Sequence, residues 1–474
     1  MPQSPSPALL SRLHRLLGDK GYSDDAAVLA PWLTDWRGKY HGRAAAMLSP
    51  TNTAEVAEVV RLCRAEAVAL VPQGGNSGMV GGATPDDSGT QILLSLRRMN
   101  RIRSIDAAAH LAVADAGVIL ETFHEAALEH GLRFPLTLGG KGSATIGGLV
   151  STNAGGTQVL RHGTMRALVA GIEAVLPDGR IFDGLAPLKK DNRGYDLRHL
   201  FCGAEGTLGI VPAASLRLVP AATARATAWI GLESPDRALR LLRRLDEALG
   251  RQLEGFEIVP HGCLDAVLRH IPQTRAPLAA PHPWYALVEL AGDAEDGLDA
   301  RLQAALAAAL DASLVDDVVI AKNEAESEAF WKLRDSISEA ERAEGPALQH
   351  DVSVSVDLMP RFIADNPARL QAALPGARAL SFGHLGDGNV HHHVQPPAGV
   401  DGQAWLDAHG EAASRLVYAH VLELGGSISA EHGIGQMKRD LLAELDSPAR
   451  LAALRGVKAG LDPAGLFNPG KLIA

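Results

Sequence analysis

The densest group of side chains that could do chemistry lies in the second half of the chain, in the segment GHLGDGNVHHH at residues 383–393. His384 and His391 are seven residues apart, and on one unbroken strand they would point to opposite faces. The turn at residues 386–388 interrupts the strand, so both imidazoles can converge. On the strand that follows, His391 and His393 share one face. The segment therefore predicts a hairpin with clustered imidazoles.

A second segment, SAEHGIG at residues 429–435, adds the carboxylate of Glu431 and the imidazole of His432. Two histidines and one glutamate form a three-ligand set that suits a divalent metal ion and leaves coordination positions open for a substrate. The alternative is a hairpin with surface histidines, followed by an unrelated start of a helix. Spacing alone leaves both interpretations open.

A cationic candidate lies in the segment EAFWKLRDSIS at residues 328–338, which is predicted to be helical. Arg334 and Ser338 are four residues apart and would share one face of that helix. A guanidinium presents a rigid pair of donors that matches a carboxylate. The alternative is an ordinary solvated arginine on a helix surface.

Glycines are concentrated between residues 74 and 210, in four clusters. The first cluster, PQGGNSG at residues 72–78, follows a predicted helix with a capping-box start at Asn52 and a short buried strand at 68–71. Such a loop offers free backbone N–H groups, which suit a pyrophosphate. It matches neither the GxGxxG dinucleotide motif nor the GxxxxGK[ST] phosphate loop, and a tight turn is the alternative. Four clusters in one domain indicate a backbone that surrounds a large cofactor.

After residue 220 the pattern changes to alternating strands and helices. Two β-α-β-like units in succession predict a separate α+β domain, with its boundary at residues 212–220. The predicted strands cover residues 228–232, 255–259, 284–290 and 315–320. One predicted helix starts at Pro235, after an N-cap at Ser234, and a second covers residues 298–310.

Composition excludes several classes of protein. A length of 474 residues predicts two or more domains, and a net charge of −10 provides no electrostatic footprint for nucleic acid. No apolar run reaches the roughly 18 residues of a membrane span, and the start MPQSPSPALL has no signal-peptide pattern. The three scattered cysteines argue against disulfides, iron–sulfur clusters and structural zinc. We therefore expect a reducing, cytoplasmic location.

Six ordered segments together resemble the FAD-linked oxidoreductases of the vanillyl-alcohol-oxidase superfamily. Within it they are most similar to the branch of D-2-hydroxyglutarate and D-lactate dehydrogenases. The resemblance runs from about residue 40 to the end of the chain. The segments are PQGGNSGMVGG (72–82), LGGKGSATIGGLVSTNAGG (138–156), LKKDNRGYDLRHLFCGAEGTLGI (188–210), GHLGDGNVHHHV (383–394), SAEHGIG (429–435) and LDPAGLFNPGKL (461–472).

The resemblance implies an α+β fold with two parts. A two-subdomain FAD-binding domain of the vanillyl-alcohol-oxidase/PCMH type would be followed by an α+β cap domain with an antiparallel sheet. The implied boundaries are a helical N-terminal segment at 1–39, the FAD-binding domain at 40–220, and the cap, substrate and metal domain at 221–474. Residues from about 425 to 474 would return to the FAD.

The same resemblance implies roles for individual residues. FAD would bind non-covalently, because residues 75–77 (Gly-Asn-Ser) stand where some relatives tether the flavin through a histidine. The metal ligands would be His384, His391 and Glu431, with zinc expected and manganese, iron or cobalt as alternatives. His432 would be the catalytic base, and the substrate contacts would be Arg334, Ser338, Gln349 and His393. The implied FAD contacts are Pro72, Gly74, Gly75, Asn76, Ser77, Gly78, Lys141, Gly142, Ser143, Ile146, Gly147, Gly148, Asn153, Gly155, Gly156, Glu205, Gly206, Thr207, Gly209, Ile210 and Asn468.

The implied activity is oxidation of a D-2-hydroxy acid to the 2-oxo acid. No NAD motif is present, so an external acceptor such as an electron-transfer flavoprotein, a cytochrome or a quinone is expected, and the enzyme is expected to be a homodimer. Two departures leave the acid open, since Gln349 replaces a lysine of the hydroxyglutarate enzymes and His393 replaces an asparagine. A D-lactate type substrate is therefore retained beside D-2-hydroxyglutarate.

Three other functions remain as alternatives at this stage. The first is an oxygen-using alcohol or sugar oxidase of the same superfamily. The second is a non-catalytic flavin subunit of a larger complex, and the third is a zinc hydrolase that uses only the histidine cluster.

Overall fold

The computed structural model describes residues 3–473 of the chain. Among these residues, none of the helices combines the length and the apolarity that crossing a bilayer requires. The helices are α1 (Pro7–Leu17), α2 (Ala26–Leu29), α3 (Thr53–Ala65), α4 (Leu120–Leu128), α5 (Ile146–Thr152), α6 (Val159–His162), α7 (Met165–Leu168), α8 (Leu197–Phe201), α9 (Pro235–Leu249), α10 (His261–His270), α11 (Leu298–Asp311), α12 (Glu324–Asp335), α13 (Ile337–Glu344), α14 (Met359–Ala373), α15 (Gly402–Glu423), α16 (Arg439–Leu445) and α17 (Pro448–Leu461). The strands are β1 (Tyr22–Ser23), β2 (Ala46–Leu48), β3 (Leu70–Gln73), β4 (Ile92–Ser95), β5 (Ile102–Asp106), β6 (Leu111–Asp115), β7 (Leu132–Arg133), β8 (Val169–Val175), β9 (Ile181–Gly184), β10 (Ile210–Arg217), β11 (Val219–Pro220), β12 (Ala224–Leu232), β13 (Leu253–Pro260), β14 (Trp284–Gly292), β15 (Asp317–Ile320), β16 (Leu348–Ser353), β17 (Arg378–His384) and β18 (Asn389–Gln395).

These elements form two compact units. The first unit comprises the chain up to Gly155, Gly163–Ala221 and the segment from His432 onward. The second unit comprises Ala222–Glu431 together with the short segment Gly156–His162. The fold is therefore mixed α and β, as the sequence predicts.

The first unit contains a sheet with the strand order β1-β2-β4-β3, in which β2, β4 and β3 run parallel. Helix α3 lies on the connection from β2 to β3, and its N-cap Asn52 accepts a hydrogen bond from the backbone N–H of Glu55 at 2.9 Å. The Glu55 carboxylate in turn accepts from Thr51 N at 2.7 Å, one residue earlier than in a standard capping box. The predicted apolar face of α3 is fully buried: Val56, Val59, Val60 and Cys63.

The N-terminal segment is not purely helical. Besides α1 and α2 it contributes β1, which pairs antiparallel with β2 at the edge of this sheet. The prediction of a helical segment at residues 1–39 therefore missed a two-residue strand. A strand this short has no periodicity from which it could be predicted.

A second sheet of the first unit has the order β5-β6-β10-β8-β9 and is antiparallel throughout. The two sheets agree with the predicted two-part FAD-binding domain. The end of the chain packs on the first sheet, because Leu70 N donates to Leu466 O at 2.9 Å and Asn468 N donates to Leu70 O at 2.8 Å.

The second unit is built on a seven-stranded sheet in the order β15-β12-β14-β13-β17-β18-β16. All of its strand pairs are antiparallel, as predicted for the cap domain. The two predicted β-α-β-like units are present as split units. Strand β14 separates β12 from β13, and β12 separates β14 from β15.

The single helix predicted over residues 328–338 is wrong. Helix α12 ends at Asp335, Ser336 adopts a turn, and α13 starts at Ile337. Arg334 and Ser338 therefore lie on different helices, with Arg334 buried and Ser338 exposed. Serine favours helix caps and turns, which explains why the break between the two helices falls at Ser336.

Candidate metal centre and flavin-binding loops

The hairpin β17–β18 places two imidazoles side by side. His384 ends β17 opposite Asn389, and His391 lies on β18 opposite Phe382. Their ring centroids are 5.4 Å apart. The turn needs glycine at Gly388, where φ is 81° and a Cβ would stand 2.0 Å from the carbonyl oxygen of Val354. The predicted convergence of the two histidines is therefore present.

Glu431 completes this group within the second unit. One ligand atom each of His384, His391 and Glu431 lies within 4.8 Å of the other two. Nε2 of His384 is 3.7 Å from Oε1 of Glu431, and that oxygen is buried without a hydrogen-bond partner among the described residues. A buried carboxylate oxygen without a donor, beside two imidazoles, fits a bound divalent cation.

The electrostatics of the group also favour a cation. Burial raises the pKa of Glu431 to about 7, with the neighbouring acids Asp351 and Asp387 reinforcing the shift and His384 opposing it. Burial likewise raises the pKa of Asp387 to about 6. Carboxyl groups that cannot easily ionise next to one another gain most from a metal ion that neutralises them.

Glu257 on β13 contacts this group, and the sequence did not indicate it. It lies opposite His384 in the sheet and is fully buried. Its Oε1 accepts from Nδ1 of His384 at 2.5 Å, and its Oε2 accepts from Nε of Arg334 at 2.7 Å. Burial would raise the pKa of Glu257, but the charges of His384 and Arg334 outweigh it and lower the pKa. Burial alone would lower the pKa of His384, but the charge of Glu257 outweighs burial and raises that pKa.

Arg334 is held rigidly rather than solvated. Only 8% of the residue is exposed, and its guanidinium carbon lies 5.3 Å from the centre of the Phe382 ring. The structure records no acceptor within residues 3–473 for its two terminal nitrogens, because Nε alone contacts Glu257. Those nitrogens therefore remain available for a carboxylate of a substrate.

Asp351 on β16 is a second carboxylate of this group that the sequence did not indicate. Its Oδ2 accepts from the backbone N–H of Glu431 at 2.9 Å. Its Oδ1 accepts from Nδ2 of Asn389 at 2.9 Å. Asp351 thus ties the segment that carries Glu431 to the hairpin that carries the two histidines.

Of the remaining substrate candidates, Gln349 and His393 lie on neighbouring strands of the sheet, whereas Ser338 lies on α13. Gln349 pairs in register with His393, and His393 Nδ1 contacts the Glu341 carboxylate at 2.5 Å. His393 is buried and Gln349 is half-buried. Ser338 is exposed, and no hydrogen bond of its side chain is recorded. The interpretation of the histidines as surface residues is wrong, since His384, His392 and His393 are all buried.

The first glycine loop of the first unit has the properties of an anion site. The backbone N–H groups of residues 74–78 have no acceptor in the described part of the chain. A Cβ on Gly74 would stand 2.2 Å from Oγ1 of Thr145, and one on Gly75 would stand 1.7 Å from the carbonyl oxygen of Ser143. Five successive free N–H groups fit the pyrophosphate of FAD.

The second loop of candidate FAD contacts approaches the first at Ser143. Thr145, the N-cap of α5, has a buried Oγ1 without a hydrogen-bond partner among the described residues. Lys141 is half-exposed beside Glu121 at 3.3 Å. The α5 helix begins with the buried Ile146 and ends at Thr152. Its C-cap is Asn153, whose φ is 50° and whose Oδ1 accepts from Arg166 N. An orphaned hydroxyl at the start of α5 also fits a phosphate.

Several predicted FAD contacts serve packing inside the first unit. A Cβ on Gly147 would meet the Ala116 side chain at 2.6 Å, and one on Gly206 would meet Pro72 at 2.3 Å. One on Gly209 would meet the Phe201 ring at 2.6 Å. A Cβ on Gly142 or Gly148 would have no contact shorter than 3.4 Å. Gly155 ends the first segment of the unit, and Gly156 begins the short segment that belongs to the second unit. Thr207 donates to Ala204 O, and Ile210 starts β10.

Glu205 and Asn468 hold loops of the first unit together. The Glu205 carboxylate accepts from the backbone N–H groups of Ile434 and Gly435, both at 2.7 Å, while burial raises its pKa. Nδ2 of Asn468 donates to the carbonyl oxygens of Gly82 and Glu205. His432, directly after Glu431 in the sequence, is the first residue of this C-terminal segment.

Comparisons with known proteins identify the class. The family described as "FAD binding domain" matches residues 44–184, and "FAD linked oxidases, C-terminal domain" matches residues 221–472. Among solved structures, p-cresol methylhydroxylase has a TM-score of 0.77 at 14% identity, covering 99% of this chain and 98% of that one. Alkyldihydroxyacetonephosphate synthase has a TM-score of 0.74 at 15% identity, covering 99% and 87%. The fold is that of the vanillyl-alcohol-oxidase flavoenzymes, and the chain belongs to the FAD-linked oxidases.

The relatives narrow the family further. The chain is 36% identical to the mitochondrial D-2-hydroxyglutarate dehydrogenase of Arabidopsis thaliana over 98% of this chain and 81% of the relative. It is 38% identical to the D-2-hydroxyglutarate dehydrogenase of Xanthomonas citri pv. viticola over 94% and 93%. It is 33% identical to the D-2-hydroxyglutarate–pyruvate transhydrogenase of Saccharomyces cerevisiae over 94% and 90%. The chain belongs to this family of FAD-dependent 2-hydroxy-acid dehydrogenases, and the family predicted from sequence is confirmed.

Proposed function

We propose that this enzyme oxidises a D-2-hydroxy acid to the 2-oxo acid with non-covalent FAD and a divalent metal ion held by His384, His391 and Glu431. The observation that carries the proposal is the meeting of these three side chains beside the Arg334–Glu257 pair. A hydroxy acid presents a carboxylate next to a hydroxyl, and the second unit offers a guanidinium next to a metal-ligand group. The two recognition elements match the two functional groups of such a substrate.

Arg334 and His432 have separate tasks in the proposed reaction. When bound, FAD would accept the hydride from the substrate α-carbon, and the cation would draw electron density from the α-hydroxyl oxygen. Arg334 binds the substrate carboxylate through its terminal nitrogens and fixes the orientation of the α-carbon. His432 takes up the hydroxyl proton as the general base. Zinc is the expected ion, because two imidazoles and one carboxylate suit it.

The substrate side chain is proposed to lie toward Gln349 and His393. A glutamine offers a neutral amide, and the Glu341 carboxylate already neighbours Nδ1 of His393. Neither Gln349 nor His393 therefore offers an unpaired cation, which weakens the recognition of a second carboxylate. Both D-2-hydroxyglutarate, named for the relatives, and a smaller acid of the D-lactate type remain within the proposal.

An external acceptor is proposed to reoxidise the flavin. Electron-transfer flavoprotein, a cytochrome or a quinone are the candidate classes, and a yeast relative is named for the use of pyruvate. We also propose a homodimer in a reducing compartment. In support of that compartment, all three cysteines are buried and unpaired. Several eukaryotic relatives are named mitochondrial, so a cytoplasmic location is proposed on the cysteines alone.

The test is anaerobic bleaching of the flavin by a panel of D- and L-2-hydroxy acids, with metal analysis of the same sample. We expect D-isomers to reduce the flavin and L-isomers to leave it oxidised. Bleaching by sugars or alcohols, with peroxide released in air and no dependence on metal, would instead establish the oxygen-using oxidase. A flavin that no hydroxy acid bleaches would reject the proposed activity.

A further inference from the structure

Glu257 connects two candidate functional groups that come from different elements. It lies on β13, whereas His384 ends β17 and Arg334 belongs to α12. One oxygen accepts from Nδ1 of His384 at 2.5 Å and the other accepts from Nε of Arg334 at 2.7 Å. With 0% of the residue exposed, water cannot replace either contact.

The contact with His384 fixes which ring nitrogen can bind a metal. An ionised carboxylate only accepts hydrogen bonds, so Nδ1 of His384 carries the hydrogen. The lone pair of the neutral ring is then on Nε2, which is the nitrogen 3.7 Å from Oε1 of Glu431. A carboxylate behind a histidine ligand orients the ring and increases its basicity toward a metal.

The contact with Glu257 also fixes the orientation of the Arg334 guanidinium. Nε is the inner nitrogen of the guanidinium, and its use by Glu257 leaves the terminal pair free within the described residues. The planar guanidinium then has one orientation instead of many rotamers. Arg334 is a cation and His384 becomes one when it is protonated. These two partners explain how the Glu257 carboxylate can be buried in the interior.

The same sheet provides a matched comparison. Glu289 on β14 is also a buried carboxylate, paired with Arg225 Nη1 at 2.6 Å and with Trp331 Nε1 at 2.8 Å. Neither partner is a candidate metal ligand or substrate contact. Glu289 is thus also buried and paired with an arginine, but it has no link to the site.

We propose that Glu257 is a positioning residue that orients the metal ligand His384 and the carboxylate anchor Arg334 together. The inference rests on the proposed metal site and extends it by one residue. It follows that a single buried carboxylate links metal affinity to substrate affinity. Loss of Glu257 weakens both at once, whereas loss of Glu289 affects folding alone.

The test compares Glu257→Gln with Glu289→Gln in the FAD-loaded enzyme. Metal-depleted samples are titrated with Zn²⁺ or Mn²⁺ against a chromophoric chelator, and KM and kcat are measured at saturating metal. For Glu257→Gln we expect metal affinity to fall about 10- to 100-fold. At saturating metal, kcat should recover toward the wild-type value while KM stays raised, because Arg334 still lacks its acceptor. For Glu289→Gln we expect wild-type metal affinity and KM, with only a lower Tm.

A second variant covers a failure of Glu257→Gln to fold. Glu257→Asp keeps the charge but is one methylene shorter, so it cannot reach both partners, and at least one of metal affinity or KM should change. Wild-type values of both in either Glu257 variant, or an equal loss of metal affinity in Glu289→Gln, would overturn the positioning role. A wild-type enzyme that binds no metal would instead overturn the proposed metal site itself.

Discussion

At the residue scale, the candidate site residues differ in how directly the sequence indicates them. His384, His391 and the intervening turn lie within eight residues, so local spacing predicts their convergence. Glu257 contacts His384 across 127 residues and Arg334 across 77. Helix and strand periodicities relate only residues close together in the sequence, so they cannot predict these contacts. The only signal was a carboxylate inside the otherwise apolar strand LEGFEIVP, a pattern that Glu254 shares.

The role of His432 is tested by His432→Ala. A general base typically contributes about 10²- to 10⁴-fold, so flavin reduction by the hydroxy acid should slow by that factor. FAD should stay bound, because the proposed FAD contacts lie on other loops. The measurement is anaerobic stopped-flow at the flavin absorbance, with added imidazole expected to restore part of the rate. An unchanged rate would remove His432 as the base.

At the scale of elements, the sequence predicts the helices and strands better than their arrangement. The periodicity of α9, α11 and the strands around them is local, and their positions agree with the structure to within a few residues. The insertion of β14 between β12 and β13 depends on contacts between distant segments. The junction at Ser336 was missed because the amphipathic pattern continues from α12 into α13.

The packing of the two glycine loops yields a prediction about the cofactor. Gly75→Ala places a Cβ 1.7 Å from the carbonyl oxygen of Ser143, so one loop must move. We expect a loss of stability of about 1–3 kcal/mol and a lower FAD content. Gly139→Ala is the control, since nothing lies within 4 Å of its Cβ. Tm and the ratio of flavin to protein absorbance measure both effects, and full FAD occupancy with wild-type Tm in Gly75→Ala would contradict the loop geometry.

The C-terminal segment yields a prediction about pH. Burial lowers the pKa of Lys471 to about 8, with Arg439 reinforcing the shift and Asp86 opposing it. Between pH 8 and the ordinary lysine pKa of about 10.4, the unfolded chain then binds more protons than the folded one. The free energy of unfolding from this residue therefore rises with pH across that window, and its penalty is fully present below pH 8.

Lys471→Met should remove this alkaline slope and stabilise the flavin-stripped protein at pH 7. The measurement is urea unfolding of that protein at several pH values from 7 to 10. Lys189→Met, at an exposed position, is the control and should keep the wild-type slope. An alkaline slope in Lys471→Met equal to that of the wild type would show that the Lys471 ammonium is not the buried cation described here.

At the scale of the whole molecule, the flavoenzyme family and the proposed metal site rest on different parts of the chain. The flavoenzyme family follows from ordered motifs spread over the chain, and the comparisons confirm it. The proposed metal-assisted chemistry rests on three side chains within the second unit. The proposed choice of hydroxy acid rests on Gln349 and on the His393–Glu341 pair, whose charge balance could not be predicted because Glu341 is 52 residues from His393.

The central claim is that the His384, His391 and Glu431 group holds a metal ion that the oxidation requires. The most direct measurement is the rate of anaerobic flavin reduction by a D-2-hydroxy acid in one enzyme sample, before chelation, after it, and after metal is restored. Lewis-acid assistance of several kcal/mol predicts that the chelated enzyme keeps its FAD but reacts on the order of 10²-fold or more slowly, with recovery on adding Zn²⁺ or Mn²⁺. A metal-free sample that reduces its flavin at the full rate would contradict the account.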